Sequence, residues 1–234
     1  MDPTLLDRSY MHSFLDQLRR DAFDECYPAF SAPDLQGWVR KDFSTRVEAF
    51  LDKRDRNLPL VIVEVGTWKG LSASIMANVV KSLGFVDVTI VCIDTWLGAP
   101  EFWTQKGLAD TDRGMSLCRT GGYPTVFYRF ASNMKRLGHD DIIAPFPISS
   151  IQGAKVLEHY GIQADLIYID AAHEYEAVSA DMKAFWPLVK PGGIMLGDDY
   201  DGTSWPGVVR AVKEFPVTAD IHGDVWVCAK GLDG

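Results

Sequence analysis

The sequence predicts an α/β protein: a Rossmann-like, doubly wound, mostly parallel seven-stranded sheet with helices on both faces, preceded by a helical N-terminal extension. Three observations lead there. Short β-branched runs that are apolar without interruption, as strands buried on both faces require, recur along the chain. Between them lie stretches in which the apolar residues return every three or four positions, the signature of a helix covering a sheet. A length of 234 residues suffices for one well-buried domain of this class.

The elements follow in order. PLVIVEVG (59–66) is a continuous apolar run, GLSASIMANVVKSLG (70–84) has helical spacing and stops at Gly84, and VTIVCID (88–94) is a second run, so these three form a β-α-β unit. A short strand is expected in PFPI (145–148), then a helix in 151–161, a strand in LIYID (166–170), a helix in 175–190, a strand in GGIMLGDD (192–199), a helix in 205–215 and a last strand in VWVCA (225–229). Residues 1–58 carry helical spacing at Leu15 and Leu18 and again at Phe43, Val47, Phe50 and Leu51; they read as an extension serving as a lid or a dimerisation element. The main domain then occupies 59–234. Residues 95–135 are rich in Gly, Trp, Phe and Tyr without clean periodicity, which reads as an irregular insertion beside the ligand crevice.

Charge narrows the partners. At −9, with pI near 5.0, the surface repels phosphate backbones and anionic lipid, so nucleic acid and membrane insertion are not expected. Cys26, Cys92, Cys118 and Cys228 are scattered without a CxxC spacing, as in reduced core thiols. With no basic-then-apolar leader at the start, a cytoplasmic location is expected.

The first β-α turn is the most informative stretch. VEVGTWKGLSAS follows a buried strand and opens a helix, where a nucleotide-type ligand binds. It is not a phosphate loop, because no GK[ST] follows. A dinucleotide fingerprint needs a second glycine where Trp68 stands. What remains is Glu64, Gly66 and Gly70, with Asp94 ending the next strand; a carboxylate there suits a ribose diol. The ligand reads as a nucleoside without a diphosphate.

This arrangement resembles the first motif of class I S-adenosylmethionine (SAM) methyltransferases. The resemblance implies that Gly66 and its backbone hold the methionyl end, that Glu64 lies near the methionyl amine, that Asp94 binds ribose and that Ser150 approaches adenine. Thr67, Trp68, Gly70, Ser72 and Thr95 in the same two turns, and Asp170 on another strand end, complete the implied cofactor set. From the residues alone, Gly66 and Gly70 equally suit a tight turn without ligand, and Ser150 a helix N-cap.

Asp170 ends one strand and Asp198-Asp199 end the next. In this family those strands adjoin, which implies three converging carboxylates whose repulsion a hard divalent cation, Mg²⁺ or Mn²⁺, resolves. Both neighbours reach one ion only if the chain leaves the strand there, a turn that Gly197 eases. The set Asp170, Asp198 and Asp199 resembles the metal site of divalent-cation-dependent O-methyltransferases acting on the sugars of macrolide and aminocoumarin antibiotics. Catechol and caffeoyl-CoA enzymes typically carry Asp-Asn at the pair and a lysine three residues after the first ligand. Here Asp199 and His173 stand in those places, and His173 resembles the general base of the sugar-directed branch, acting beside Asp170. Glu174, Glu176 and Asp181 read as the polar face of the next helix.

The expected acceptor is a sugar hydroxyl, hexose or deoxyhexose, in a small molecule or glycan. Trp96, Phe102, Trp103, Tyr123, Phe127 and Tyr128 offer aromatic faces for it or form a local core. A catechol or phenol acceptor, a metal-free enzyme and a SAM-fold accessory binding protein without turnover stay open, as does a homo-oligomer; an NAD-dependent dehydrogenase is disfavoured by Trp68.

Overall fold

The computed structural model describes residues 8–23, 32–103, 117 and 119–232. Helix α1 (Arg8–Phe23) and helix α2 (Phe43–Leu51) precede strand β1 (Leu60–Val65), helix α3 (Leu71–Ser82) and strand β2 (Val88–Asp94). Then come helix α4 (Val126–Arg136), strand β3 (Ile143–Pro147), helix α5 (Ser150–His159), strand β4 (Ala164–Ile169), helix α6 (Tyr175–Phe185) and strand β5 (Val189–Gly197). Helix α7 (Pro206–Glu214) leads to a closing hairpin of strands β6 (Asp220–His222) and β7 (Val225–Ala229). The seven strands lie in the order β3-β2-β1-β4-β5-β7-β6; β1 to β5 run parallel, while β7 is antiparallel to both β5 and β6. The expected α/β sheet with helices on both faces is therefore present.

Burial explains the apolar runs. Every residue of β1 and of β4 is buried, because helices cover both sides of the sheet. On one face Leu60, Ile62 and Ile90 pack with Phe43, Val47 and Leu51 of α2, Met76 and Val80 of α3 and Phe130 and Met134 of α4. On the other, Val61, Val63 and Val65 pack with Leu157 of α5, Met182 and Phe185 of α6 and Val208 and Val212 of α7. Each such side chain contributes roughly 1.5–3 kcal/mol on burial. Helix α1 straddles the β3 edge: Leu15 joins the second cluster, Ala22 and Phe23 the first, and Phe14 stacks on Tyr160 with ring centroids 4.2 Å apart. The helices of the N-terminal extension are thus part of the core packing, and α1 covers a sheet edge that would otherwise expose unpaired backbone groups.

Three elements differ from the sequence expectation. The stretch 95–135 is not irregular throughout, since 126–136 is helical; Val126, Phe130 and Met134 recur every four residues and are buried. The preceding Gly121-Gly122 and Pro124 and the crowd of aromatics hide that period in the sequence. Strand β6 has three exposed residues and no apolar signal of its own; it exists because it pairs with β7. Strand β5 ends at Gly197, so Asp198 and Asp199 stand outside it.

The strand order reverses at β1 and β4, which connect to opposite sides of the sheet, and the crevice of such sheets opens at the carboxyl ends of those strands. Residues 32–42 are tied along this edge. Asp34 and Gln36 accept from Lys69 Nζ at 2.7 and 2.9 Å, Asn133 bridges the backbone of Asp34 and Lys69, and Arg40 pairs with Asp224 before β7. None of the described helices is long and apolar enough to cross a membrane. Cys92 and Cys228 are buried free thiols; Cys26 and Cys118 lie outside the described residues.

Candidate functional site

At the end of β1 the chain makes a turn that only glycine permits. Gly66 has φ +90°, and a Cβ there would lie 2.0 Å from the Asp170 carbonyl oxygen and 2.7 Å from Ala171 Cα, so the tips of β1 and β4 touch backbone to backbone. The Asp170 N–H donates to the Val65 carbonyl at 2.9 Å, which completes that contact. Trp68 follows with φ +52°, a left-handed conformation rare for a bulky residue, and Gly70 (φ +89°) caps α3. The Asp94 carboxylate holds this turn to the next one. Its two oxygens accept the backbone N–H groups of Trp68 and Trp96, each at 2.7 Å, and the Trp96 indole donates to the Trp68 carbonyl at 2.6 Å.

Under this turn Glu64 is fully buried, and the Ser72 hydroxyl donates to its Oε1. Burial pushes Glu64 up to about 7 against the pull of the Ser72 hydroxyl. Among the described residues its Oε2 and the Trp68 indole N–H, both buried, make no well-formed hydrogen bond, although the Thr67 hydroxyl and the Cys92 thiol lie close enough to pull the carboxyl down. A buried carboxylate oxygen with no well-aligned donor fits an ammonium group such as that at the methionyl end of SAM.

Across the β1/β4 contact lie the second set of acids. Asp170, His173 and Asp199 each bring a ligand atom within 4.8 Å of the others, a grouping able to hold a metal ion. His173 Nε2 is 2.9 Å from Asp199 Oδ2, and the Tyr168 hydroxyl, on buried β4, donates to Asp170 Oδ2 at 3.0 Å. A small pocket of about 10 Å³ opens here, lined by Asp170, Ala171, Ala172, His173, Asp198 and Asp199 among others. Burial and the neighbouring Asp199 charge push Asp170 up to about 7, although the Tyr168 hydroxyl pulls it down. Asp198 is also raised, by burial above all and by Asp199. No described lysine or arginine forms an ion pair with Asp170, Asp198 or Asp199. A cation is the chemistry that relieves such a set, and oxygen donors suit a hard one.

Several sequence expectations gain detail or change. Asp198 does not join the three-donor group: its Oδ1 accepts the N–H of Asp199, and the left-handed turn falls on Asp199 itself, φ +63°. Gly197 is not the turn; it is the last residue of β5, and the position takes glycine because a Cβ there would meet the Trp226 ring at 2.4 Å. Ser150 opens α5, and its hydroxyl bonds the Asp181 carboxyl. Asp181 is buried instead of forming a polar helix face, and burial pushes it up to about 6. Thr95 is exposed and its hydroxyl accepts the Leu97 N–H at 3.3 Å. The aromatic residues divide: Trp96 is buried against Phe127 and Phe130, and Phe102 packs on Trp68, whereas Trp103, Tyr123 and Tyr128 are exposed.

The structure adds Tyr168, Lys69 and Trp205 to the neighbourhood. Tyr168 reads in the sequence as one more strand residue, and only the i, i+2 spacing to Asp170, which puts both on one face, hints at their contact. Lys69 is 2 % exposed, and Trp205 stacks on His173; both depend on residues distant in the chain.

Comparison with known proteins identifies the family and the fold. Residues 63–200, more than half of the chain, match the model of a family described as a methyltransferase domain. A protein of Acanthamoeba polyphaga mimivirus described as uncharacterized protein R132 is 26% identical over 164 residues, 70% of this chain and 61% of that one. The match therefore spans less than two thirds of that relative. Among solved structures, the O-methyltransferase NovP superposes with a TM-score of 0.58 at 18% identity, covering 94% of this chain and 98% of that one. The O-methyltransferase TomG from Streptomyces achromogenes, in complex with SAM, gives 0.52 at 17% identity, covering 99% and 100%. CalS11, a calicheamicin methyltransferase, gives 0.53 at 16% identity over 86% and 98%. At these identities the likeness is one of fold.

Proposed function

The chain belongs to the methyltransferase-domain family, and from that premise we propose that it is a SAM-dependent, divalent-cation-dependent O-methyltransferase whose acceptor is a sugar hydroxyl. The observation that carries the reading is the convergence of Asp170, His173 and Asp199 within 4.8 Å, on the far side of the Gly66 contact from the unsatisfied Glu64 carboxylate. One side offers an ammonium partner, the other a cation partner and an imidazole. The fold-level likeness to O-methyltransferases, one of them bound to SAM, supports the donor assignment.

When bound, SAM supplies an electrophilic methyl group and a divalent cation supplies a Lewis acid that makes a hydroxyl more acidic. Glu64 would accept the methionyl ammonium, and the Asp94 carboxylate, held by backbone N–H groups of the two turns, would accept the ribose hydroxyls. Asp170 and Asp199, with Asp198 beside them, would hold the cation. An ionised carboxylate only accepts, so at Asp199 the His173 ring donates through Nε2, and in its neutral form the lone pair would then lie on Nδ1. That nitrogen would take the acceptor hydroxyl's proton as the oxygen bonds to the methyl carbon and the methyl–sulfur bond breaks, its electron pair leaving with S-adenosylhomocysteine. Exposed Trp103, Tyr123 and Tyr128 supply aromatic faces suited to the C–H surface of a sugar.

A second reading has its own observation. The grouped donors include His173 and omit Asp198, a donor set of two carboxylates and one imidazole, which suits Mn²⁺ and other first-row ions better than Mg²⁺. In that case His173 is a ligand and not the base. Mn²⁺ affinity of His173→Ala separates the two: a ligand loses affinity, a base loses turnover with affinity intact.

The test of the whole is methyl transfer from labelled SAM to rhamnosides and to catechol, with Mg²⁺, with Mn²⁺ and after EDTA. Transfer to the rhamnoside that EDTA abolishes and the ions restore is expected. Preference for catechol shifts the acceptor to a phenol, full activity in EDTA removes the cation, and tight SAM binding without transfer to any acceptor indicates an accessory binding protein.

A further inference from the structure

We propose that Trp205 is a positioning residue for His173, holding the imidazole in the single orientation from which it works; the kinetic part of this claim rests on the methyltransferase reading above. The two rings are stacked, with centroids 3.9 Å apart and planes 21° from parallel. At the same time the imidazole edge is held by Asp199 at 2.9 Å. The Asp199 contact restrains the ring at one nitrogen along its edge. A flat partner over the ring face restrains its tilt, so the stack adds a restraint that an edge contact does not supply.

The loop that carries Trp205 is built for this placement. The Asp201 carboxylate accepts the N–H groups of Thr203 and Ser204 at 2.9 and 3.2 Å, and its carbonyl accepts the Trp205 N–H at 2.8 Å. Trp205 then caps α7, its carbonyl accepting the Val208 N–H at 3.1 Å. Gly207 seats that helix directly on the segment bearing the histidine: a Cβ there would lie 2.6 Å from the His173 carbonyl oxygen and 2.7 Å from the Tyr175 nitrogen. Neither hydrophobic cluster among the described residues includes Trp205, and the residue is 37% exposed. Core packing does not account for a tryptophan here, whereas the stack on His173 does.

The experiment compares wild type, Trp205→Ala and Trp205→Phe, each with the full chain and with His173→Ala to assign the histidine resonance. In ¹³C-histidine-labelled protein the ring current of the indole moves the His173 Hε1 signal upfield; Trp205→Ala returns it to the ordinary range and Trp205→Phe keeps part of the shift. In methyl transfer at saturating SAM and cation, Trp205→Ala lowers kcat by about tenfold, a partial loss of general-base geometry. The KM for SAM and the cation midpoint stay unchanged, Trp205→Phe recovers most of the rate, and Trp205→Ala adds no further loss to His173→Ala. An unshifted Hε1 signal in the wild type, an unchanged kcat once the shift is lost, or a rise in acceptor KM alone overturns the proposal. Should the wild type transfer no methyl group at all, the enzymatic reading fails, and the positioning claim is then decided by the Hε1 shift and its response to Trp205→Ala.

Discussion

The two halves of the crevice solve the problem of buried acid in opposite ways. On the β1/β2 side, Asp94 is surrounded by backbone donors and Ser72 covers one oxygen of Glu64, so the turn is preformed from within the protein. On the β4/β5 side, Asp170, Asp198 and Asp199 face each other with one imidazole, one phenol and one backbone N–H between them, and no described lysine or arginine pairs with them. The first half is tied together by hydrogen bonds from within the protein. The second is held under electrostatic repulsion that an external cation relieves. The difference teaches where each ligand's binding energy is directed: shape and hydrogen bonds for the donor, charge for the acceptor's activation.

The strongest way to break this comparison is His173→Ala. Removing the imidazole is expected to lower turnover on the order of a hundredfold or more while leaving the calorimetric SAM affinity nearly unchanged, because the two halves are separate. A parallel fall in SAM affinity would show that they are not.

Next in size is Asp170→Asn, which should raise the cation concentration for half-maximal activity by more than about tenfold and stabilise the ligand-free protein. The stability sign follows from protonation. Asp170 ordinarily titrates at 3.8 and Glu64 at 4.5, and both are pushed up to about 7 in the folded chain. Between those values the folded state binds the extra protons, so stability falls as pH rises towards about 7 and levels off above it. The Tm of the ligand-free protein should therefore drop from pH 5 to 7.5, added Mg²⁺ should restore it most above pH 7, and Asp170→Asn should flatten the drop. A Tm that rises over that window would contradict the burial of these acids.

Glu64 sharpens the other half. An ammonium pairs with the carboxylate and not with the acid, so SAM affinity should climb as pH rises through about 7, by at most about tenfold per unit. Calorimetry at pH 6 and 8 checks it, and Glu64→Gln should abolish the slope. The smallest expected effect is Tyr168→Phe. Loss of one hydrogen bond to Asp170 costs about 1 kcal/mol, equivalent to about fivefold in cation affinity, with SAM binding unaffected. An unaltered cation titration would make that hydroxyl a bystander.

Much of this was legible in the chain because it depends on local period and chemistry. Continuous apolar runs identified the strands buried on both faces, and the Glu64–Gly66–Gly70 turn with Asp94 marked the crevice. The acids at the tips of β4 and β5 were found because strand ends point at that edge. Helix α4 was hidden by aromatic residues that serve two purposes, core packing for Phe130 and exposure for Tyr128. Asp181 misled for a related reason: a charged residue on a helix reads as solvated unless a distant partner, here Ser150, is known.

The sequence by itself determined the α/β class and the first β-α turn, since these follow from periodicity and from what each residue type can do, whereas the adjacency of the strands carrying the acids and the role of His173 entered with the resemblance to a methyltransferase family. Only the tertiary structure decided which residues meet. Gly66 touches Asp170, Asp199 and not Gly197 makes the turn, Asp198 lines the same pocket without joining the three-donor group, and Trp205 lies over His173. Those contacts join residues on separate elements, and their geometry is fixed by the packing of whole strands and helices, which no local pattern encodes.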